Sequence, residues 1–427
     1  MRGRISSLTP MYHGWYVVVA CMVTSMVIVG ARNSLGVFVI PMSEDFGWSR
    51  GAVSLAASLS FLLNGLTQPL LGRMFDRLGG RRVILGSLIL VGVSTVLLSL
   101  TFHIIFLIFI FGLVLGTAYS GASPANTGAL IARWFRRKRS TALGLNVAGT
   151  AVGGLILIPL AAQMIEATNW RLTWLALGLI VLLVAVPLGF RVIHDGPEKL
   201  DLKPDGGSTP GDQLVSQAPI GRAGPLEATS WIDVFRSWPI WQISTAYFVD
   251  GFAIAIILIH FVPFAVDRDA SVSSAALLFG LMMAVNIVGS ALTGALADRM
   301  SRKTVLTGLY LTRGCAFLVV LVLPGSLGLW VFATVAGFSF ISPTSLTTSL
   351  IADIYGLRVL GTIGGVAYSF RQIGGALGVL LVEYLFDITG SYDIPFAITG
   401  SLLLPVALVA FMVNEKKFST RYQDNRA

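Results

Sequence analysis

Charge is what this chain has least of. Only 12% of its 427 residues are Asp, Glu, Lys or Arg, about half of the roughly 25% carried by a soluble domain. That excludes an ordinary soluble globule, and a 55% hydrophobic content excludes disorder. Cysteine is nearly missing as well: Cys21 and Cys315 both fall inside apolar runs, which rules out a disulfide framework and metal-ligand spacing. Four histidines are scattered, and only His260 lies within an apolar run. There is no HExxH and no phosphate-cradling GxxxxGK[ST], so neither an enzyme nor a cofactor or metal is expected. The net charge of +9 invites a nucleic-acid partner, but the basic residues sit in short loops between apolar runs rather than on one soluble face. The N-terminal "MRGRISSLTPMYHGW" is basic and has no small-residue cleavage site. The first apolar run is therefore expected to remain as a membrane helix.

What is abundant is apolar length, together with 46 glycines that allow helix backbones to approach closely. About 20 apolar residues cross a bilayer core. Twelve such runs are predicted, near 14–40, 51–71, 82–101, 104–131, 141–164, 172–193, 239–265, 272–297, 304–323, 327–352, 361–386 and 394–414. The predicted fold class is an all-α integral membrane protein. Residues 1–195 and 237–427 form two six-helix bundles, and 196–236, rich in Pro, Gly, Asp and Ser, form a flexible cytoplasmic linker. Lys and Arg crowd the loops on one side, notably "RWFRRKRS", and leave only Arg50, Arg171 and Arg268 on the other. The positive-inside rule then puts both termini in the cytoplasm.

The two halves echo one another. An offset of 222 residues aligns Pro41 with Pro263, Gly72 with Gly294, Asp76 with Asp298, Arg77 with Arg299 and Arg81 with Lys303. Two parallel six-helix repeats are the plan of a secondary transporter. The loops "GRMFDRLGGRR" and "GALADRMSRK" carry carboxylates that basic residues or a neighbouring helix N-terminus could bind. They are expected to form a gate holding the halves together on the cytoplasmic side, although a plain topology signal would need only the basic residues.

These loops resemble the signature loop of the major facilitator superfamily, departing from it at Gly80 and Ser301. "GARNSLGVFVIPMSEDFGWSR" and "IHFVPFAVD" are similar to the branch of monocarboxylate transporters and oxalate–formate antiporters. The resemblance implies twelve helices, alternating access and small organic anions as substrates. It also implies a substrate-binding arginine in helix 8. Helix 8 here reads "LLFGLMMAVNIVGSAL", with Asn286 as its one strongly polar residue, so that site cannot simply be carried over.

Charges within the apolar runs are expensive and point to function. Arg371 in "VAYSFRQIGGALGV" lies about 15 Å into helix 11. It is the leading substrate anchor, since its guanidinium matches a carboxylate with two parallel hydrogen bonds. Tyr368 and Gly375 share its face, offering a hydroxyl and open space, and Gly149 is its counterpart in the other half. The alternative is a structural ion pair with Asp250. Arg32 is a second candidate for the anion, or pairs with an acid such as Glu383. Arg313 is expected to snorkel toward the cytoplasm. Asp250 and His260, on one helix, suggest a proton route; the competing roles are the pair with Arg371 and a histidine merely lining the mouth. Tyr119, Asn146, Asn286 and Asn64 are cavity candidates by depth, or interhelical hydrogen bonds. "GTAVGGLILIP" in helix 5 predicts close packing and a bend at Pro159.

The expected function is proton-coupled symport of small monocarboxylates by a monomer in the plasma membrane. Anion exchange is the runner-up, with Arg32 and Arg371 suited to a dicarboxylate. A non-transporting sensor would be expected to need more than the short tail after helix 12.

Overall fold

In the computed structural model, residues 12–48, 50–205, 226 and 231–422 are described. The regular elements among them are helices. The first half consists of α1 (His13–Phe46), α2 (Arg50–Leu78), α3 (Gly80–Leu98), α4 (Ile104–Trp134), α5 (Arg139–Ala167) and α6 (Trp170–Val192). The second consists of α7 (Trp238–Val266), α8 (Val272–Arg299), α9 (Arg302–Val322), α10 (Gly325–Tyr355), α11 (Leu360–Thr389) and α12 (Asp393–Phe411). Among the described residues, 11 of these are long and apolar enough to cross a membrane. The remaining one is α2, 29 residues long. Its Ser60, Asn64 and Gln68 are buried, and these polar positions lower its apolar content because they face neighbouring helices rather than lipid.

Local signals set the helix ends. Asn169 and Ser271 cap α6 and α8 by accepting from Leu172 N at 2.9 Å and Ser274 N at 3.1 Å. Two rods are broken in mid-span. The first part of α4 ends at Gly121 and its second part begins at Pro124; α10 stops at Phe338 and resumes at Pro343. Proline lacks the N–H that would continue the ladder and crowds the preceding turn. In α4, Asn126 Nδ2 donates to the freed carbonyls of Ser120 and Gly121 at 3.0 and 3.2 Å.

The halves meet along α2 against α11 and α5 against α8. Glycine makes this approach possible: a Cβ on Gly72 would lie 2.1 Å from Gly361 O, and one on Gly144 2.3 Å from Ser290 O. Among the described residues, hydrogen bonds between the halves lie in one stretch of the molecule. They run from the end bearing the Asp76 and Asp298 loops, the basic end, to the level of the Asn64–Gln372 contact at 3.1 Å. At the other end ion pairs join each half to itself, Asp45–Arg171 at 2.7 Å and Arg268–Asp393 at 2.8 Å. The molecule is closed at its basic end.

The start of the expected flexible linker is docked. Asp205 accepts from the backbone N–H of Lys138 at 2.9 Å and Arg137 at 3.1 Å, and also from Arg136 N. Most of the linker, 206–225 and 227–230, lies outside the described residues.

Candidate functional site

Arg371 does sit on an ion pair, but the pair is part of a longer chain. Its Nε donates to Asp250 Oδ2 at 3.0 Å, and the other oxygen, Oδ1, accepts from Arg313 Nη1 at 2.8 Å. Asp250 and Arg313 side chains are 0% exposed, whereas that of Arg371 keeps 10% of its surface open. The Nη atoms of Arg371 have no protein acceptor among the described residues. They project between Tyr247 and Tyr368, each ring centroid 5.6 Å from the guanidinium carbon. Two cations share one carboxylate, so the cluster keeps a net positive charge. In a low dielectric that attracts an anion.

Backbone contact holds this geometry. A Cβ on Gly251 would lie 1.8 Å from Arg371 O, and one on Gly374 2.0 Å from Phe248 O. Only glycine lets α7 and α11 come this close. Gly375 opens no space beside the arginine, contrary to the sequence expectation: a Cβ there would meet Ala255 Cβ at 3.4 Å, because this face of α11 packs on α7.

Arg313 overturns a second expectation. It does not snorkel. The break in α10 frees carbonyls that have no water to meet in a bilayer, and Arg313 supplies the donors. Its Nη2 reaches Phe340 O at 2.9 Å and Ser339 O, and its Nε reaches Ser339 Oγ at 3.3 Å.

Across from this cluster, in the first half, the Arg32 guanidinium stacks on Phe61 at 3.7 Å and lies 5.0 Å from the Tyr119 ring. Its Nε and Nη2 and the Tyr119 hydroxyl are buried without a hydrogen-bond partner among the described residues. Tyr368, 5.6 Å from the guanidinium carbon of Arg371, lies on the second half facing the first. The expected acid for Arg32, Glu383, has a side chain outside the described residues.

Other candidates are placed elsewhere. His260 is not brought to Asp250; its ring packs near Tyr392, with centroids 5.7 Å apart, and its Nε2 is buried without a partner among the described residues. Asn146 bonds Ser25 at 3.2 Å and Thr127 at 3.0 Å, tying α1, α4 and α5 together. Asn286 bonds Gly337 O at 3.2 Å. Both asparagines are fully buried and join helices rather than face an open region. Asn64 bonds Ser120 Oγ at 3.1 Å as well as Gln372.

At the basic end the repeated carboxylates cross between halves. Asp76 accepts from Gly361 N at 3.0 Å and from Thr362 N and Oγ1 at 2.7 Å, and so caps α11. Asp298 does the same for α5, through Ser140 N at 2.8 Å and Thr141 N and Oγ1 at 2.8 and 2.6 Å. Thr362 thus answers Thr141, one residue less than the 222 that aligns the loops. The counterpart of Arg371 is therefore Thr150, not Gly149. Gly72 and Gly294 are the points of close helix approach, since a Cβ on Gly294 would lie 2.4 Å from Ser140 O. The basic partners behave differently from expectation. Arg81 bonds Phe190 O at 2.6 Å and Lys303 bonds Phe411 O at 2.9 Å, each inside its own half. Among the described residues no bond from the Arg77 or Arg299 side chain spans the halves. The cross-half charge comes from residues that sequence reading missed. Asp353 is buried between Arg139 of the first half and Arg302 of the second, and Arg302 Nε also donates to Ser140 Oγ at 3.0 Å. The signal was there: Asp353 is the lone acid of α10, near the end of its apolar run.

Comparison with known proteins agrees with this architecture. A family model described as Major Facilitator Superfamily matches residues 21–379. The chain is 25% identical to the uncharacterized MFS-type transporter YcxA of Bacillus subtilis, covering 96% of this chain and 98% of that one. It is 27% identical to the probable sulfoacetate transporter SauU of Cupriavidus necator over 90% of each. It is 26% identical to monocarboxylate transporter 13 of Rattus norvegicus, over 92% and 86%. Among solved structures, the xylose symporter XylE superposes with a TM-score of 0.75 at 13% identity, covering 97% of this chain and 98% of that one. The E. coli fucose:proton symporter FucP gives 0.69 at 16% identity, over 92% and 98%.

Proposed function

This chain belongs to the Major Facilitator Superfamily, and as one of its transporters we propose that it carries small organic anions across the plasma membrane by alternating access. The observation that carries the reading is Arg371: a guanidinium held at Nε by Asp250, with its Nη edge unpaired among the described residues and the rings of Tyr247 and Tyr368 beside it. Such an edge takes a carboxylate or sulfonate with two parallel hydrogen bonds. Similarity to monocarboxylate transporters and to a probable sulfoacetate transporter supports the same substrate chemistry. The basic end faces the cytoplasm by the positive-inside rule, so the closed basic end corresponds to an outward-facing monomer.

Proton symport is the proposed coupling. An anion moving with one proton crosses neutrally. An anion that takes over Arg371 frees Asp250 Oδ2, and that carboxylate then binds the proton. His260, nearer the outer end, would serve as a relay. A second reading is exchange of dianions, and one observation favours it: Arg32, on the facing half, has two buried nitrogens without a partner among the described residues, a second cation for a second anionic group. Sulfoacetate, named for the Cupriavidus relative, carries two such groups.

The experiment is uptake of labelled acetate, lactate, pyruvate, oxalate and sulfoacetate into proteoliposomes. One arm imposes an inside-alkaline pH gradient and the other preloads unlabelled acid. Gradient-driven accumulation that Arg371→Gln abolishes supports symport at this site. Uptake only into preloaded vesicles moves the reading to exchange, and no uptake of any acid under either condition overturns the anion assignment.

A further inference from the structure

We infer that Arg313 and Asp250 are positioning residues that wire the broken helix α10 to the substrate anchor, so that movement at the break sets the orientation of Arg371. The inference rests on the anion reading for what Arg371 does, but its geometry stands independently. The break from Ser339 to Ser342 is the point where α10 can bend, because no helical ladder crosses it there. Of its freed carbonyls, Phe338 O accepts locally from Ser342 Oγ at 3.1 Å, and both Ser339 O and Phe340 O accept from one guanidinium, that of Arg313. A guanidinium is planar and rigid. A tilt of either part of α10 that moves these carbonyls must therefore turn the whole group, including Nη1. Nη1 holds Asp250 Oδ1 at 2.8 Å, and the opposite oxygen holds Arg371 Nε at 3.0 Å. Arg313 and Asp250 are both fully buried, so no water can substitute for a broken link.

The other half supplies the contrast. The break in α4 is equally abrupt, but its freed carbonyls are bonded by Asn126, two residues beyond the proline on the same helix. That repair is local and reaches neither Arg32 nor Arg371. The α4 break is tied to α2 by neutral bonds, Gln68 to Ser123 Oγ at 2.9 Å and Asn64 to Ser120 Oγ at 3.1 Å, whereas the freed carbonyls of α10 are joined through two charged side chains to the group that meets substrate. The chain works in both directions. An anion that draws Arg371 away from Asp250 leaves the carboxylate wholly to Arg313, and so changes the hold on the α10 break.

The test compares Arg313→Lys, Asp250→Asn, Asp250→Glu and Asn126→Ala for transport of whichever acid the uptake screen identifies. A lysine keeps the charge but lacks the rigid planar fork that links the carbonyls to Asp250. If the wiring is real, Arg313→Lys raises KM about tenfold although Arg313 does not touch substrate, as Asp250→Asn does, since each loses a hydrogen bond to a charged group. Asp250→Glu restores part of the loss, and Asn126→Ala leaves KM unchanged. Arg313→Lys that lowers only Vmax or protein yield, with KM as in the parent, overturns the proposal. A second readout needs no substrate, and so separates failure of this inference from failure of the anion reading. Spin labels at Ile40→Cys and Val266→Cys, in a Cys21→Ala, Cys315→Ser background, report the spacing of the halves at the outer end. Both Arg313→Lys and Asp250→Asn are expected to shift the ratio of open to closed distances by about fivefold or more. Distributions that superimpose on the parent overturn it.

Discussion

Arg371 shows how a single side chain is divided between structure and chemistry. Its Nε is committed to Asp250 and its Nη edge is open, so substitutions should separate charge from geometry. Arg371→Lys keeps the charge but loses the paired donors; affinity for a carboxylate should fall roughly tenfold, given about 1.5–3 kcal/mol for a hydrogen bond to a charged group. Arg371→Gln should abolish saturable uptake, because Asp250 then faces the anion with one cation instead of two. Arg32 makes a sharper prediction. If it meets a second anionic group, Arg32→Gln raises KM for oxalate or sulfoacetate about tenfold more than for acetate, by the same hydrogen-bond magnitude. Equal effects on mono- and dianions would leave Arg32 as a stack on Phe61 and Tyr119 only.

Among the elements, α7 and α11 depend on small residues more than on any apolar contact. Gly251→Ala pushes a methyl to 1.8 Å from Arg371 O, a backbone atom that cannot step aside. Overpacking of this kind costs about 1–3 kcal/mol, so thermal unfolding in detergent should begin several degrees lower and uptake should fall as Arg371 is displaced. Gly36→Ala, where nothing lies within 4 Å, is the matching control and should leave both unchanged. The capping carboxylates offer a test of the same scale. Asp298→Asn keeps the shape but removes the charge at the N-terminus of α5, where a cap contributes about 0.5–2 kcal/mol. The basic end should then open more often, and a cysteine placed there should react faster with a thiol reagent in inside-out vesicles.

For the molecule as a whole, the closed basic end is held by charge taken out of water. Asp353 serves two buried arginines, one from each half. Breaking a buried pair by removing one partner costs about 3–5 kcal/mol, because the remaining charge stays buried. Asp353→Asn should therefore do more than loosen the gate. The state closed at the basic end loses its counter-charge, so the protein is expected to favour the opposite state, in which Arg139 and Arg302 regain water. The 40–266 spin-label distance would shorten and net transport would fall. A distance unchanged from the parent would mean that the Asp76 and Asp298 caps hold the closed end by themselves.

Much of this plan was legible in the residues. Apolar runs of bilayer length mark where the rods lie, because a single span in lipid satisfies its own backbone as helix. The repeated Gly72–Asp76 and Gly294–Asp298 loops mark two related halves and supply the carboxylates that tie them. Arg371 and Asp250 stand out because a charge in such a run needs a reason. What only the tertiary structure decided is partnership. Arg313 reads as a snorkelling residue until the break in α10 is seen to leave two carbonyls without donors. Asp353 reads as a helix end until arginines from both halves meet on it. Asn146 and Asn286 read either as cavity residues or as interhelical bonds until their hydrogen bonds prove to be spent between helices. A sequence records which polar groups are buried in an apolar segment. Which groups satisfy them depends on residues brought together from distant parts of the chain, and that is settled only by packing.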